Sequence, residues 1–161
     1  MWQYGERLQL DYTLRKNMTL EEIQALWSKD AKIDRVELGE EAIRIPQIHS
    51  KYFKIYSTER LTLKKMQEDS KQLWKDLWDY YQGNFDYEDL KERGWDQVNI
   101  KILKADIQIH IDANQTWIDN NLKLAYQKEK VEFLESIIKS LNGRGFNINA
   151  AIQWEKFKVG I

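Results

Sequence analysis

The stretch from Gln47 to Gln82 contains neither Gly nor Pro, and it lies between Pro46, the only proline, and Gly83. If this stretch is helical throughout, it is about 54 Å long at about 1.5 Å per residue. Its apolar residues recur mostly at spacings of three, four or seven, which predicts one apolar stripe. The stripe consists of Ile48, Tyr52, Ile55, Leu63, Met66, Leu73, Leu77 and Tyr80. A small monomer cannot bury a stripe of that length, so we expect partner helices, some of them from other subunits.

Shorter helices are predicted before and after this long one. Thr19 and Glu22 have the spacing of a capping box, which predicts a helix from Leu20 to about Asp30. Another helix is expected to begin near Asp34 and to be kinked or broken at Pro46, which lacks a backbone N–H. Gly83, followed by Asn84, is expected to end the long helix. The acidic residues 84–99 are expected to form a loop or a short helix that ends near Gly94.

The C-terminal part of the chain also has a helical pattern. Ile107, Ile109 and Ile111 alternate as in a strand, but helical spacing continues from Leu103 to Leu141 and favours a helix. The sequence Gly143-Arg144-Gly145 is expected to end that helix. A final helix, capped by Asn147 or Asn149, is then predicted to carry Ile152, Trp154 and Phe157. The predicted fold class is all-α, with a long central helix and shorter flanking helices.

Composition and motifs exclude several classes of function. The chain has 161 residues, a mass of 19.4 kDa and no Cys, so disulfides, a thiol nucleophile and Cys-based zinc sites are excluded. No apolar window is long enough for a membrane span, and no signal peptide is evident. Phosphate-binding Gly loops, dinucleotide-binding glycine triplets and paired-His zinc motifs are absent from the sequence. We therefore expect a protein that is not an enzyme, with no catalytic residues, no metal, no cofactor and no membrane association.

Charge is balanced over the whole chain but not along it. The sequence has 25 basic and 26 acidic residues, for a net charge of −1. Residues 47–75 contain 7 basic and 3 acidic residues, whereas residues 18–46 and 84–112 each contain 4 basic and 7 acidic ones. A basic segment between two acidic ones can create a local positive field on a nearly neutral protein. The alternative is an ordinary solvated helix surface.

Within the basic segment, cations and aromatic residues follow helical spacing. Arg60, Lys64, Lys71 and Lys75 are separated by 4, 7 and 4 residues, and Lys65 adjoins them. Trp74, Trp78 and Tyr81 run beside the cations. Cations that follow a phosphate backbone, with aromatic rings on which bases stack, are typical of single-stranded nucleic-acid binding. The alternative is that both Trp belong to the core while the Lys residues solvate the opposite face.

From Met18 onward, the sequence resembles the UvsY family of recombination mediators from T4-type phages. The resemblance covers about 140 residues in family order. It is carried by Met18-Thr-Leu-Glu-Glu-Ile, Lys29-Asp30, Ile33-Asp34, Ser50-Lys51, Asp79-Tyr80-Tyr81-Gln82-Gly83, Leu103-Lys-Ala-Asp106, Ile138-Lys139-Ser140 and Arg144-Gly145-Phe146. Each motif is weakly specific alone, but their order and spacing together are fairly specific.

The resemblance implies a non-catalytic protein of homologous recombination, repair and recombination-dependent replication in the cytoplasm of the infected bacterial host. Its implied partners are single-stranded DNA, a RecA-like phage recombinase that it helps to load, the phage single-strand-binding protein that coats the DNA, and further copies of itself in a ring-like homo-oligomer. The implied oligomer contact lies on the last helix, at Ile152, Trp154 and Phe157.

This chain has only one residue of the basic pair that binds DNA in the family. In that family, DNA binding rests on a Lys and, two residues later, an Arg, just before the Asp-Tyr-Tyr element. Lys75 matches the first, whereas the second falls on Leu77. Either affinity is lower here, or the other basic residues of the predicted DNA site, Arg60, Lys64, Lys65 and Lys71, compensate for the missing charge.

The predicted organisation has an N-terminal extension and one helical domain. Residues 1–17 have no counterpart in the family and are either an added arm or an upstream in-frame extension of a chain that starts at Met18. Residues 18–161 form the helical domain. In it, 18–83 are the N-terminal and DNA-binding helices, 84–99 an acidic connector, and 100–161 the C-terminal helices for oligomerisation.

Two other functions compete with the recombination role. The first is a helical structural or assembly protein of a phage that does not bind DNA. The second is an enzyme with an inconspicuous carboxylate site around Asp86, Glu88 and Asp89, although no cofactor motif or His partner supports it.

Overall fold

The computed structural model describes residues 18–160, so the predicted extension 1–17 lies outside the described residues. Five helices follow one another, and no strand occurs in the described range: α1 Leu20–Asp30, α2 Leu38–Gln82, α3 Tyr87–Arg93, α4 Ile107–Asp112 and α5 Gln115–Val159. The predicted all-α class and the long central helix are therefore confirmed, but the expectation that all flanking helices are shorter is wrong, because α5 has 45 residues, as many as α2. None of these helices is long and apolar enough to cross a membrane.

Several helix ends lie where local chemistry predicts them. The Thr19 N–H donates to Glu22 Oε2 at 2.9 Å, and the Glu22 N–H donates to Thr19 Oγ1 at 3.1 Å, which confirms the capping box. Gly83 follows α2 with φ 76°, and Gly94 follows α3 with φ 66°. Glycine takes this left-handed conformation without steric cost, so both helices end at these positions.

The predicted helix start near Asp34 and the predicted break at Pro46 are wrong. The Asp34 carboxylate accepts the Val36 N–H at 2.8 Å in a local turn, and α2 begins only at Leu38. The helix then continues through Pro46. Pro46 and Ala42 are both exposed, so water can satisfy the Ala42 carbonyl that loses its helical donor. Burial of Ile48 and Tyr52 just beyond offsets the local cost of proline.

The predicted helix end at Gly143-Arg144-Gly145, and the separate last helix capped at Asn147 or Asn149, are also wrong. Helix α5 passes through this sequence without interruption. Two glycines in a helix interior cost about 2 kcal/mol together. Packing outweighs that cost, because Leu141 and Ile148 are buried on either side and Arg144 is anchored between them.

Arg144 connects α5 to the end of α1. Its guanidinium donates to the carbonyl oxygens of Asp30 and Lys32, both at 2.8 Å, and to Glu41 Oε2 at 2.7 Å. The carbonyls in the last turn of a helix lack intrahelical donors, so a buried guanidinium there satisfies groups that would otherwise be unpaired. This buried contact explains why Arg144 lies inside a helix rather than in a turn.

The helical stretch predicted from Leu103 begins later and contains a gap. Leu103 precedes the helix and is exposed, and α4 starts at Ile107. Residues 113 and 114 separate α4 from α5. The Asn114 side chain accepts the N–H groups of Thr116 and Trp117 at 2.9 and 3.3 Å, which caps the start of α5.

The described chain forms two compact units. The first combines the residues up to Arg60 with those from Lys128 onward, and the second comprises Leu61–Gln127. The core of the first unit contains Ile23, Ile48, Tyr52, Ile55, Leu134, Ile137 and Leu141. The first unit also buries an ion pair in which Lys130 Nζ lies 2.8 Å from Glu59 Oε2.

An acidic residue at the end of α1 also stabilises the first unit. Asp30 accepts hydrogen bonds from Lys51 at 2.7 Å and from the Tyr52 hydroxyl at 3.0 Å. Burial alone raises the pKa of the Asp30 carboxyl, but these two hydrogen bonds and the positive charges of Lys51 and Arg44 together outweigh burial, so the pKa lies below its ordinary value. The carboxylate is therefore ionised at neutral pH and holds the first half of α2 against α1.

The second unit is built around three fully buried side chains, Leu77 on α2 and Ile107 and Ile111 on α4. Partly buried residues surround them: Leu73, Trp74, Trp78, Tyr81, Trp95, Ile102 and Trp117. The Asn120 amide donates to Ser70 Oγ at 2.8 Å and connects α5 to α2 within this unit. The core therefore fixes which side of α2 faces solvent in the second unit.

Candidate nucleic-acid interface

Four of the predicted DNA-binding lysines lie on the solvent side of α2 in the second unit. We call Lys64, Lys65, Lys71 and Lys75 the lysine face; all four are exposed. The side chains of Lys64, Lys71 and Lys75 have 68%, 70% and 65% of their surface accessible. Their separations of seven and four residues place these three on one side of the helix.

Glu68 bridges two residues of the lysine face. Lys64 Nζ and Lys71 Nζ each lie 3.0 Å from its Oε1. The hydrogen bond from Lys71, followed by that from Lys64, holds the pKa of the Glu68 carboxyl below its usual range. One ionised carboxylate therefore lies between two lysines of the face.

The remaining two lysines of the face differ in their partners. Lys75 Nζ lies 2.7 Å from Asp79 Oδ2. Their hydrogen bond raises the pKa of Lys75 and lowers that of Asp79, so both stay charged near neutral pH. Among the described residues, Lys65 has no carboxylate within ion-pair distance.

Arg60 lies in the first unit and is exposed. Its guanidinium carbon is 5.6 Å from the centroid of the Tyr56 ring, a cation–π distance. It stays a predicted DNA contact.

Trp74 and Trp78 stack on each other beside the lysine face. Their ring centroids are 5.1 Å apart with an interplanar angle of 28°. Both rings pack against the core of the second unit, and Trp74 Nε1 donates to Gln108 Oε1 at 3.3 Å. Each indole is thus partly in the core, as the core interpretation predicts, and partly exposed, as base stacking would require.

Leu77 has no accessible surface. It packs among Ile107 and Ile111, on the side of α2 opposite to solvent. The position at which the family resemblance implies a second basic residue is therefore a core position in this chain.

The carboxylates of the alternative enzyme hypothesis have a structural role. The Asp86 side chain accepts the Asp89 N–H at 2.9 Å and caps α3. Glu88 and Asp89 lie in the first turn, where acidic side chains interact favourably with the helix dipole. Within residues 18–160, no three His, Asp or Glu side chains are grouped as they would be around a metal ion.

The predicted oligomer contacts lie on the last turns of α5. Trp154 and Phe157 are 59% and 72% accessible, and Ile152 is partly buried. The two aromatic rings stack with centroids 5.7 Å apart.

Two features were missed in the sequence. Glu68 carried a signal, since it follows Lys64 by four residues and precedes Lys71 by three, the spacings of helical ion pairs. Lys101 and Lys104 lie in an irregular segment between α3 and α4, where helical periodicity gives no signal.

Comparisons with known proteins agree with the observed architecture. A sequence family described as "Recombination, repair and ssDNA binding protein UvsY" matches residues 26–161. A crystal structure of the bacteriophage T4 recombination mediator protein UvsY, lattice type II, superposes with a TM-score of 0.76 at 22% identity, covering 88% of this chain and 98% of that one. The lattice type I structure gives a TM-score of 0.73 at 21% identity, with coverages of 84% and 97%. No match is found among curated protein sequences.

Proposed function

The chain belongs to the UvsY family of recombination, repair and ssDNA-binding proteins, and on that basis we propose that it binds single-stranded DNA through the lysine face of α2. The observation that carries the proposal is the grouping of four exposed lysines beside two stacked, partly exposed tryptophans in one compact unit. Lysines bind phosphates without reading bases, and indole rings stack on any base. The expected binding is therefore strong at low salt and tolerant of sequence.

The arrangement also sets the expected size of the electrostatic effect. Four phosphate contacts on single-stranded DNA give a slope of about −2.8 in log K against log salt, at about −0.7 for each contact. Glu68 and Asp79 compete with phosphates for three of the four lysines. Each site is thus expected to bind weakly, and repetition of the site in an oligomer supplies the affinity.

The proposed cellular role is recombination mediation without a catalytic step or cofactor. Single-stranded DNA coated by the phage single-strand-binding protein must become accessible to a RecA-like phage recombinase. A protein that binds the strand in a form compatible with the recombinase, and less compatible with the coating protein, shifts that competition by differential affinity. This step is expected in the cytoplasm of the infected bacterial host.

A ring-like homo-oligomer is part of the proposal. Exposed, mutually stacked Trp154 and Phe157 near Ile152 form an apolar surface at the end of α5, and exposed apolar surfaces of this kind mark protein contacts. Repeated lysine faces on one assembly would bind one strand at high effective concentration.

One observation favours the second candidate, a helical structural or assembly protein. Three lysines of the face are paired with carboxylates on the same helix, as on an ordinary solvated surface. Salt-dependent DNA binding separates the two candidates.

The test is sedimentation of the full chain with and without a labelled single-stranded oligothymidylate at several salt concentrations. We expect the oligonucleotide to sediment with the protein. The slope of log K against log salt should be about −2.8 or more negative. The free protein should sediment as a multiple of 19.4 kDa. An oligonucleotide that stays free at low salt would favour the structural role, and a monomeric mass would contradict the ring.

Replacing Glu68 by Gln is expected to tighten single-stranded DNA binding. The change releases Lys64 and Lys71 from a shared partner and removes a negative charge next to the phosphates. Exposed ion pairs are weak, so we expect a gain of about two- to ten-fold, measured by fluorescence anisotropy at low salt. Glu132→Gln is the matched control, because Glu132 pairs with Lys128 across one turn of α5 and is similarly exposed. Equal affinities for both variants and the wild type would show that Glu68 does not compete with phosphate.

A further inference from the structure

An open groove lies in the second unit beside the irregular segment that follows α3. Its volume is about 730 Å³, within the range of about 300–1,000 Å³ that is usual for ligand pockets. We call it the loop groove and define it by Tyr81, Ile100, Lys101, Leu103 and Lys104, which line it.

The segment that forms the groove is held at several points. The Tyr80 hydroxyl donates to the Asp96 carbonyl oxygen at 2.8 Å, and the ring centroids of Trp95 and Tyr80 are 5.0 Å apart. Further along, Ile102 packs against the buried cluster of the second unit. Because its backbone is anchored on both sides, the groove is preformed. Binding of a ligand therefore costs little conformational entropy in this segment.

The groove combines cationic and apolar groups that remain available to a ligand. Residues 97–105 contain Lys101 and Lys104 but no acidic residue. In the described part of the chain, neither ammonium has a carboxylate within ion-pair distance, in contrast to Lys64, Lys71 and Lys75. Ile100 and Leu103 are 76% and 67% accessible, and Tyr81 adds an aromatic ring.

We propose that the loop groove is a second contact for single-stranded DNA and holds one nucleotide of the strand. The phosphate binds Lys101 and Lys104, and the base packs against Tyr81, Ile100 and Leu103. Charge complementarity selects this ligand, since a polyanion with flat apolar bases fits two unpaired cations beside an apolar and aromatic wall. The inference rests on the proposed single-stranded DNA binding and extends it from one helix face to a second surface of the same unit.

Neutralising both lysines tests the phosphate contact. The Lys101→Gln/Lys104→Gln variant of the full chain should bind labelled oligothymidylate about ten-fold more weakly at about 0.15 M salt, with a salt slope smaller by about 1.4. Lys91→Gln/Lys123→Gln is the matched control, because both residues are exposed in the same unit and line neither the lysine face nor the groove. Wild-type affinity and slope in the groove variant would overturn the proposal.

A cross-linking experiment tests the base contact. The chain contains no Cys, so a single introduced Cys can be labelled specifically with a benzophenone maleimide. Leu103→Cys is compared with Leu122→Cys, since the two leucines are 67% and 65% accessible and lie in the same unit. Irradiation should cross-link the oligonucleotide to the label at position 103 well above the level at position 122.

The outcomes separate this inference from the proposed function. If the wild type binds the oligonucleotide but position 103 cross-links no more than position 122, the groove has another occupant and only this inference fails. If the wild type does not bind at all, both fail.

Discussion

Exchanging Lys71 and Lys75 together for Glu is expected to weaken single-stranded DNA binding by about 100-fold at about 0.15 M salt. Loss of two phosphate contacts accounts for about ten-fold, and two new negative charges add repulsion of similar size. The salt slope should become smaller by at least about 1.4. Both side chains are about two-thirds exposed, so packing should change little, and Glu has nearly the helix propensity of Lys. Fluorescence anisotropy over a salt series measures affinity and slope together.

A matched control variant distinguishes the effect of losing the lysine face from the effect of changing the net charge. Lys128 and Lys139 also pair with Glu across one helical turn and are 68% and 73% accessible, but they lie on α5 in the first unit. Lys128→Glu/Lys139→Glu changes the net charge equally and should retain most of the affinity. If the two double variants bind DNA equally well, the lysine face is not the binding site.

The Leu77→Arg variant, which would restore the basic residue implied by the family resemblance, is expected to lose more than about 5 kcal/mol of stability and to fail to fold. Removing a buried Leu from its contacts costs about 2–5 kcal/mol, and an unpaired guanidinium in an apolar cluster adds a larger desolvation cost. Circular dichroism without denaturant should show loss of the helical signal in Leu77→Arg, and urea denaturation followed by circular dichroism measures the free energy of unfolding of the wild type and of the variants that fold.

Two control variants show whether the loss of stability is caused by placing a charge at a buried position. Leu77→Met nearly conserves volume and should cost less than about 1.5 kcal/mol. Leu122→Arg introduces the same charge on the same unit at an exposed position and should be close to neutral. A Leu77→Arg protein with wild-type stability and tighter DNA binding would contradict the core assignment of Leu77.

Local chemistry made part of the fold predictable. The Thr19 capping box and the ends at Gly83 and Gly94 depend on neighbouring residues alone, and all three were correctly predicted. Pro46 and Gly143 were misleading because their local preferences were outweighed by distant partners. The buried contacts of Arg144 with the end of α1 connect residues more than a hundred positions apart. Helical periodicity contains no information about such contacts.

The candidate site was predictable to a similar extent. Spacing alone identified which lysines share a side of α2, since helical geometry fixes that directly. Spacing also placed Leu77 in the apolar stripe, and the structure buries it, but spacing could not show that Ile107 and Ile111 of α4 are its partners. The loop groove depends on how an irregular segment packs against Tyr81, which is a tertiary property.

The interrupted path of the chain through the first unit has a consequence for biosynthesis. The core of the first unit also needs Leu134, Ile137 and Leu141, which come after Lys128, and the hydrogen bond from Arg144 to the Asp30 carbonyl oxygen spans 114 positions. The second unit is one continuous segment, Leu61–Gln127, and all of it emerges from the ribosome before those partners emerge. Contacts between distant residues form slowly, and chains emerge N-terminus first. The segment that carries the lysine face can therefore become ordered before the core of the first unit is complete.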